Sequence, residues 1–176
     1  MQNQEKTVRK NTVYKGKILN LRVDDALLPD GRACIRELVE HSGGACALYI
    51  EAGKVLFVKQ YRYAYGDTLY EIPAGKINAG EPPELSAKRE LEEETGIRAG
   101  RMELLHEIYP SVGYTNERIY IYLALDAIKG EARPDDGEFV EVEWIELEKA
   151  KKMMQDGAIK DAKTLVALQA YLLRQR

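Results

Sequence analysis

Between Arg89 and Glu94 the chain reads Arg-Glu-Leu-Glu-Glu-Glu, four carboxylates in five consecutive residues behind an arginine. Side chains three and four apart are neighbours on an α-helix, so on a helix Glu90, Glu93 and Glu94 share one face, with Glu90 and Glu94 one turn apart. Like charges placed this way repel by roughly 0.2 to 0.5 kcal/mol per pair unless something neutralises them. A hard divalent cation such as Mg²⁺ or Mn²⁺ does so, because it takes oxygen ligands, typically one or two carboxylates with water and substrate phosphates completing the shell. The competing reading is a solvated acidic face, which is what most charge runs are.

The spacing around the run separates the two readings. Gly75 is followed after five residues by Glu81, after seven more by Arg89-Glu90, and then by Leu91, one residue, Glu93-Glu94, one residue, Gly96 and Ile97. Nine constrained positions across residues 75–97 make a far more specific pattern than a lone glycine motif. Every fixed position of the Nudix box is matched, and the sequence resembles the Nudix hydrolases, which cleave nucleoside diphosphates linked to another moiety. The resemblance implies that Glu90 and Glu94 are direct ligands of Mg²⁺, with Mn²⁺ as the alternative ion. It implies further that Glu93 is another ligand or orients water, and that the backbone carbonyl of Ala74 completes the set. Arg89 is expected to pair with one of the glutamates and fix its rotamer. Glu81 is expected either to pair with Arg89 or to touch the metal. Gly75 and Gly96 read as backbone devices, a tight turn and a helix stop.

Outside the box, Leu69-Tyr70-Glu71-Ile72-Pro73-Ala74-Gly75-Lys76 looks like the approach to the box in ADP-ribose pyrophosphatases. Tyr109 to Glu117 resembles the loop that follows it there, with Val112 standing where a proline is usual. Similarity to that subgroup also touches residues 16–44, 58–62, 138–142 and 161–164, nearly the whole chain. In that group an N-terminal hairpin is exchanged across a homodimer, and arginines near it contact the nucleotide. Arg36 and Arg62 are the matching positions, and Glu71 and Glu117 join them as substrate-binding candidates. A mobile acidic loop in the group supplies a catalytic base. Glu138 aligns with it, Asp135 and Asp136 stand behind it, and a solvated turn around Gly137 is the alternative. The resemblance therefore implies Mg²⁺-dependent hydrolysis of ADP-ribose to AMP and ribose 5-phosphate. Its rivals are a pyrophosphatase for another nucleoside diphosphate sugar, such as GDP-mannose or an ADP-sugar, and a catalytically silent module that binds nucleotide sugars.

Composition sets outer bounds on these readings. At 176 residues, 45% hydrophobic and 31% charged, the chain has the size and make-up of a single globular domain. A net charge of −3 argues against a nucleic-acid partner, while a small anionic ligand can still be held by a few arginines and a metal. Cys34 and Cys46 have neither zinc spacing nor a disulfide framework, as expected of thiols in the cytoplasm. His41 and His106 lack partners at ligand spacing and read as structural. No run of ~18 apolar residues is present, so no membrane partner is expected.

These candidates must be carried by secondary structure that the patterning also suggests. Residues 1–10 are polar and expected to fray. A hairpin runs over 13–28 and 33–39 through the Asp-Gly turn at 30–31. Strands follow at 45–50, 55–61, 68–72, 102–109, 119–125 and 139–145. Helices are expected over 83–95, opened by Pro83 and stopped by Gly96, and over 147–155 and 162–173. The implied fold is α/β, a Nudix-type α/β/α sandwich with a mixed sheet and an N-terminal antiparallel β extension. Residues 1–44 form the dimer-making extension and 45–176 the hydrolase domain.

Overall fold

Two runs of alternating residues meet at Asp30-Gly31, and there the chain reverses. Gly31 adopts φ +87°. Its N–H donates to the Leu28 carbonyl, while the Leu28 N–H donates to the Arg32 carbonyl, each at 2.9 Å. The computed structural model describes residues 3–135 and 137–175 and divides into two compact units. The first runs to Gly43 and takes in Tyr109–Arg118. It holds β1 (Lys6–Arg9), β2 (Thr12–Lys15), β3 (Leu19–Leu27) and β4 (Ala33–His41). β4 pairs with the full length of β3, while β2 and β1 share the other edge of β3 in turn, all antiparallel.

Two local expectations change here. Lys6–Arg9, within the stretch expected to fray, form β1, because Asn11 ties the chain down at the break between β1 and β2. The Asn11 N–H donates to Asp24 Oδ1 (3.1 Å), its side-chain amide donates to the Val23 carbonyl (3.1 Å) and Asp25 Oδ2 (3.2 Å), and its carbonyl accepts the Val23 N–H (2.8 Å). The strand expected from 13 to 28 is broken after Lys15, where the Gly16 N–H bonds the Leu19 carbonyl at 3.0 Å. The loop after Tyr109 is laced to β4. The Val39 N–H donates to the Tyr114 carbonyl (2.7 Å), the Asn116 N–H to the Val39 carbonyl (3.2 Å), and the His41 N–H to Asn116 Oδ1 (2.9 Å).

The second unit comprises Gly44–Ile108 and Ile119 onward. In chain order it contains β5 (Gly44–Glu51), β6 (Lys54–Arg62), β7 (Asp67–Glu71), β8 (Ala74–Lys76), α1 (Pro83–Thr95), β9 (Ile97–Arg98) and β10 (Arg101–Ile108). β11 (Ile119–Leu125), β12 (Ile128–Lys129), β13 (Val140–Glu146), α2 (Leu147–Gln155) and α3 (Ala162–Arg174) complete it. The main sheet has the order β10-β11-β5-β6-β13, with β7 added to β6 and β8 to β5. It is mixed, since β5 runs parallel to β11 and antiparallel to β6 and β8.

Residues 45–49 of β5 are all buried, as a strand covered on both faces requires. Ala45, Ala47 and Tyr49 pack with Ala87 and Leu91 of α1. Cys46 and Leu48 pack on the opposite face with Ala150 of α2 and Ala167 and Leu168 of α3. The layers are therefore helix, sheet and helix, as the patterning implied. Among the described residues no helix is long and apolar enough to cross a membrane.

Leu168 is fully buried in the α3 face of this core. Leu168→Ala should cost about 2–5 kcal/mol through lost burial and the cavity left behind, read as a lower urea midpoint at unchanged slope. A midpoint equal to that of the parent chain would contradict this packing.

Candidate active site

Pro83 opens α1 in its first turn, where a missing N–H is tolerated, and Gly96 ends it in the left-handed conformation (φ 75°) with its N–H on the Glu92 carbonyl at 2.7 Å. The buried side of this helix consists of Ser86, Ala87, Glu90, Leu91 and Glu94. From Ala87 these follow the i, i+3, i+4, i+7 spacing of a core-facing stripe, and two of them are carboxylates. Glu90 is 7% exposed and Glu94 3%.

The strand beneath is shaped to receive both groups. Glu94 Oε2 accepts the Ala74 N–H at 3.2 Å. The Glu90 carboxylate lies over Gly75 so closely that a Cβ there would stand 2.0 Å from Glu90 Cδ. Gly75 is an ordinary strand residue opposite Ala45 in β8. Its lack of a side chain makes room for Glu90, rather than permitting the tight turn the sequence suggested.

The electrostatics follow from this burial. Removal from water pushes the Glu94 carboxyl up to about 8, and the Glu90 and Glu138 charges push the same way against the Ala74 N–H and the Lys163 charge. Burial also raises Glu90, outweighing Arg89, with Glu93 and Glu138 adding to the rise. Glu138 is thus near enough for its charge to be felt by both members of the pair.

Arg89 organises the other carboxylates. Its Nη1 donates to Glu90 Oε1 (2.7 Å) and Glu93 Oε2 (2.9 Å). Its Nε and Nη2 fork onto the two oxygens of Glu81 at 2.9 and 3.1 Å. The bond to Arg89 holds the Glu81 carboxyl below its ordinary range, and Glu81 also accepts the Asn78 N–H.

Among the described residues no three His, Cys, Asp or Glu side chains make a closed metal cluster, and Glu93 is engaged by Arg89. A Mg²⁺-like ion does not require such a cluster, since one or two carboxylates with waters and substrate phosphates suffice. Glu90 and Glu94 fit that description. They are all-oxygen donors, buried side by side, and their charge is only partly offset by protein cations.

The remaining candidates are divided between the units. In the second, Arg62 forks onto Glu71 through Nε and Nη2 at 2.6 and 2.7 Å. Glu71 is 2% exposed and also receives Lys163 Nζ at 2.5 Å. Burial pushes the Glu71 carboxyl upward, but Arg62 and Lys163 outweigh it and hold the group below its ordinary value. Glu138 closes a turn, its N–H on the Asp135 carbonyl at 3.0 Å, with Gly137 at φ +87°. Asp135 is exposed, and Asp136 lies outside the described residues.

In the first unit Arg36 forks onto Glu5 at 2.8 and 2.5 Å, and Glu117 Oε1 stands 3.3 Å from His41 Nδ1. Glu117 also lines a cavity of about 300 Å³ with Tyr109, Val112, Thr115, Asn116 and Arg118. The structure brings Ala74, Arg89, Glu90, Glu93 and Glu94 together, with the Ala74 N–H rather than its carbonyl on Glu94. It adds Lys163, Asp161 and Thr164, to which sequence reasoning assigned no role, because a lysine in a first helical turn reads as solvated.

The raised Glu94 has a measurable consequence. Between the ordinary glutamate range and about 8 the metal-free folded chain keeps a proton on Glu94 that the unfolded chain has lost, so stability falls as pH rises through that window. Glu71 and Glu81 are lowered, so their contributions are complete below this window and do not mask the fall. In chelator, thermal unfolding should show the parent chain losing stability from pH 5.5 to 8, a loss of about 1–3 kcal/mol that Glu94→Gln reduces, with the raised Glu90 supplying what remains. Equal pH dependence in the two proteins would contradict the burial described here.

Known proteins resemble this chain along nearly its whole length. Residues 39–168 match the NUDIX domain, and residues 5–39 match the nucleoside diphosphate sugar hydrolase N-terminal domain. The chain is 40% identical over 175 residues to the ADP-ribose pyrophosphatase of Bacillus subtilis (strain 168), covering 98% of this chain and 95% of that one. It is 37% identical over 175 residues to the methanol dehydrogenase activator of Bacillus methanolicus, with the same coverage of 98% and 95%. The crystal structure of an ADP compounds hydrolase shares the fold with a TM-score of 0.83 at 19% identity, covering 98% of this chain and 93% of that one. Nudix hydrolases generally use divalent metal ions. By its box, its fold and its relatives, the chain belongs to the Nudix hydrolase family.

Proposed function

We propose that this protein hydrolyses the pyrophosphate of ADP-ribose, using Mg²⁺, to AMP and ribose 5-phosphate. The observation that carries the reading is the buried pair Glu90 and Glu94, set on the core-facing stripe of α1 against Ala74 and Gly75. Two such carboxylates are costly to bury without a cation, and a catalytic use accounts for that cost. The substrate assignment is supported by likeness to the Bacillus subtilis ADP-ribose pyrophosphatase along nearly the whole chain.

In this reading Glu90 and Glu94 would hold the ion with the Ala74 carbonyl, and Glu93 would join them or orient water. When bound, the ion would supply positive charge to screen the pyrophosphate oxygens and to lower the pKa of an attacking water. Arg89 keeps Glu90 and Glu93 in fixed rotamers through its bonds to both. Glu138 takes the proton of the water as it attacks one phosphorus and the bridging P–O bond breaks, so that one product leaves with the bridging oxygen. Arg62 is held by Glu71 and is partly exposed, which supports a role in binding the substrate phosphates. Arg36 and Glu117 are further substrate-binding residues of this proposal.

That unit exposes Val8, Val13, Tyr14, Ile18 and Ile35, each more than half accessible, which supports a homodimer formed through its sheet. The free thiols of Cys34 and Cys46 support a reducing, cytoplasmic setting.

Purified protein with Mg²⁺ and a panel of nucleoside diphosphate sugars tests the activity. Turnover should be fastest on ADP-ribose, and Glu94→Gln should lower kcat by roughly a hundredfold or more without unfolding the chain. Preference for GDP-mannose would defeat the substrate assignment. No turnover of any member, with ADP-ribose still raising Tm, would favour a silent binding module. Light scattering in solution should return twice the 20.0 kDa chain mass, and a monomer would remove the dimer from this reading.

A further inference from the structure

Four successive residues lead into the Glu94 contact, and the first three are each anchored by a different group. Glu71 is held by Arg62 and Lys163. The Ile72 N–H donates to Thr164 Oγ1 at 2.9 Å. The Pro73 carbonyl accepts the Ala47 N–H at 3.0 Å. The fourth residue, Ala74, then presents its N–H to Glu94. Two of the three anchors come from the first turn of α3, on the sheet face opposite α1.

That turn is built in an unusual way. Asp161 caps α3 by accepting the Thr164 N–H at 3.0 Å, and it also accepts the Thr164 hydroxyl proton at 2.5 Å. The hydroxyl oxygen is thereby oriented to receive Ile72. Lys163 Nζ bridges Glu71 at 2.5 Å and Asp161 at 3.0 Å, with its side chain 11% exposed. A cation near a helix N-terminus opposes the helix dipole, and a buried ammonium carries a desolvation cost, so helix stability alone is a poor reason to place lysine here. Burial does press the Lys163 ammonium toward neutrality, but Asp161 and Glu71 outweigh it and keep it charged.

We propose that Lys163 and Thr164 are positioning residues that clamp the segment from Glu71 to Ala74, so that the Ala74 backbone holds the Glu94 carboxylate in place for a divalent cation. The clamp acts through the sheet, from α3 on one face to α1 on the other, and neither residue touches the substrate. This inference rests on the proposed metal-dependent activity, and its test is arranged to separate the two.

Lys163→Met and Thr164→Val are compared with the parent chain in four measurements: amide hydrogen exchange at Ala74 by NMR, Mn²⁺ affinity by calorimetry, kcat and KM on ADP-ribose with Mg²⁺, and thermal unfolding. Thr164→Val keeps shape and charge, so it serves even where Lys163→Met folds poorly. Exchange at Ala74 should quicken about tenfold or more in both variants, because the bond to Glu94 opens more often. Mn²⁺ affinity and kcat should each fall about 10–100-fold, with KM changed less than about twofold. A lowered Tm with Ala74 exchange and Mn²⁺ affinity unchanged would overturn the proposal, leaving Lys163 and Thr164 as stabilising residues only. Faster exchange with unchanged Mn²⁺ affinity would equally overturn it, since the clamp would then not reach the cation. A parent chain that binds no Mn²⁺ would strike at the proposed activity instead, and exchange at Ala74 then decides the clamp alone.

Discussion

Two glutamates on the core-facing stripe of a helix are the constraint from which much of the second unit follows. A stripe at 87, 90, 91 and 94 would ordinarily be apolar throughout, and α1 gives half of it to Glu90 and Glu94. The helix can still dock because the strand beneath contributes almost no bulk there. Gly75 leaves the space that the Glu90 carboxylate fills, and Ala74 offers a backbone N–H in place of a side chain. Ala87 and Leu91 then supply the apolar contact with Ala45, Ala47 and Tyr49 that keeps the helix seated. Local stability is given up where charge is needed, and the surrounding packing makes up the difference.

The arginines show how the remaining charge is managed. Arg89 meets three carboxylates at once, and Arg62 with Lys163 neutralises Glu71, so the acids flanking the pair are each matched to a cation. Glu94 accepts a backbone N–H, and burial pushes its carboxyl up to about 8. The asymmetry suits the proposed cation site, because the neighbours are held in fixed rotamers by cations while Glu94 meets the backbone.

The central strand transmits order between the two helical layers. β5 is buried on both faces, so α1 and α3 read the same strand from opposite sides, and β8 hangs from its edge through Ala45 and Cys46. Polar groups at the start of α3 therefore act on the short segment entering β8 without approaching α1. Thr164 is fully buried, yet its hydroxyl is completely used, donating to Asp161 and accepting from Ile72.

Much of this was legible in the residues themselves. The box spacing, the Pro83 start and the Gly96 stop determined α1 and the face shared by Glu90, Glu93 and Glu94, because periodicity and capping are local properties that need no partner to be read. The Asp30-Gly31 turn marked the N-terminal hairpin for the same reason. Other features required the folded chain. β1 exists because Asn11 bonds residues twelve to fourteen positions away, which no local pattern encodes. Gly75 is needed for the volume of a side chain fifteen residues later, and the loop from Tyr109 groups with the first unit through Val39 and His41. The sequence by itself determined the spacing of the carboxylates and the face of the helix on which Glu90 and Glu94 stand. Only the tertiary structure decided that Glu90 and Glu94 are buried, that Arg89 divides itself among Glu81, Glu90 and Glu93, and that Lys163 lies beneath the strand supporting them. Burial and charge pairing are set by residues distant in the chain, and they come together only when the sheet brings its two faces into register.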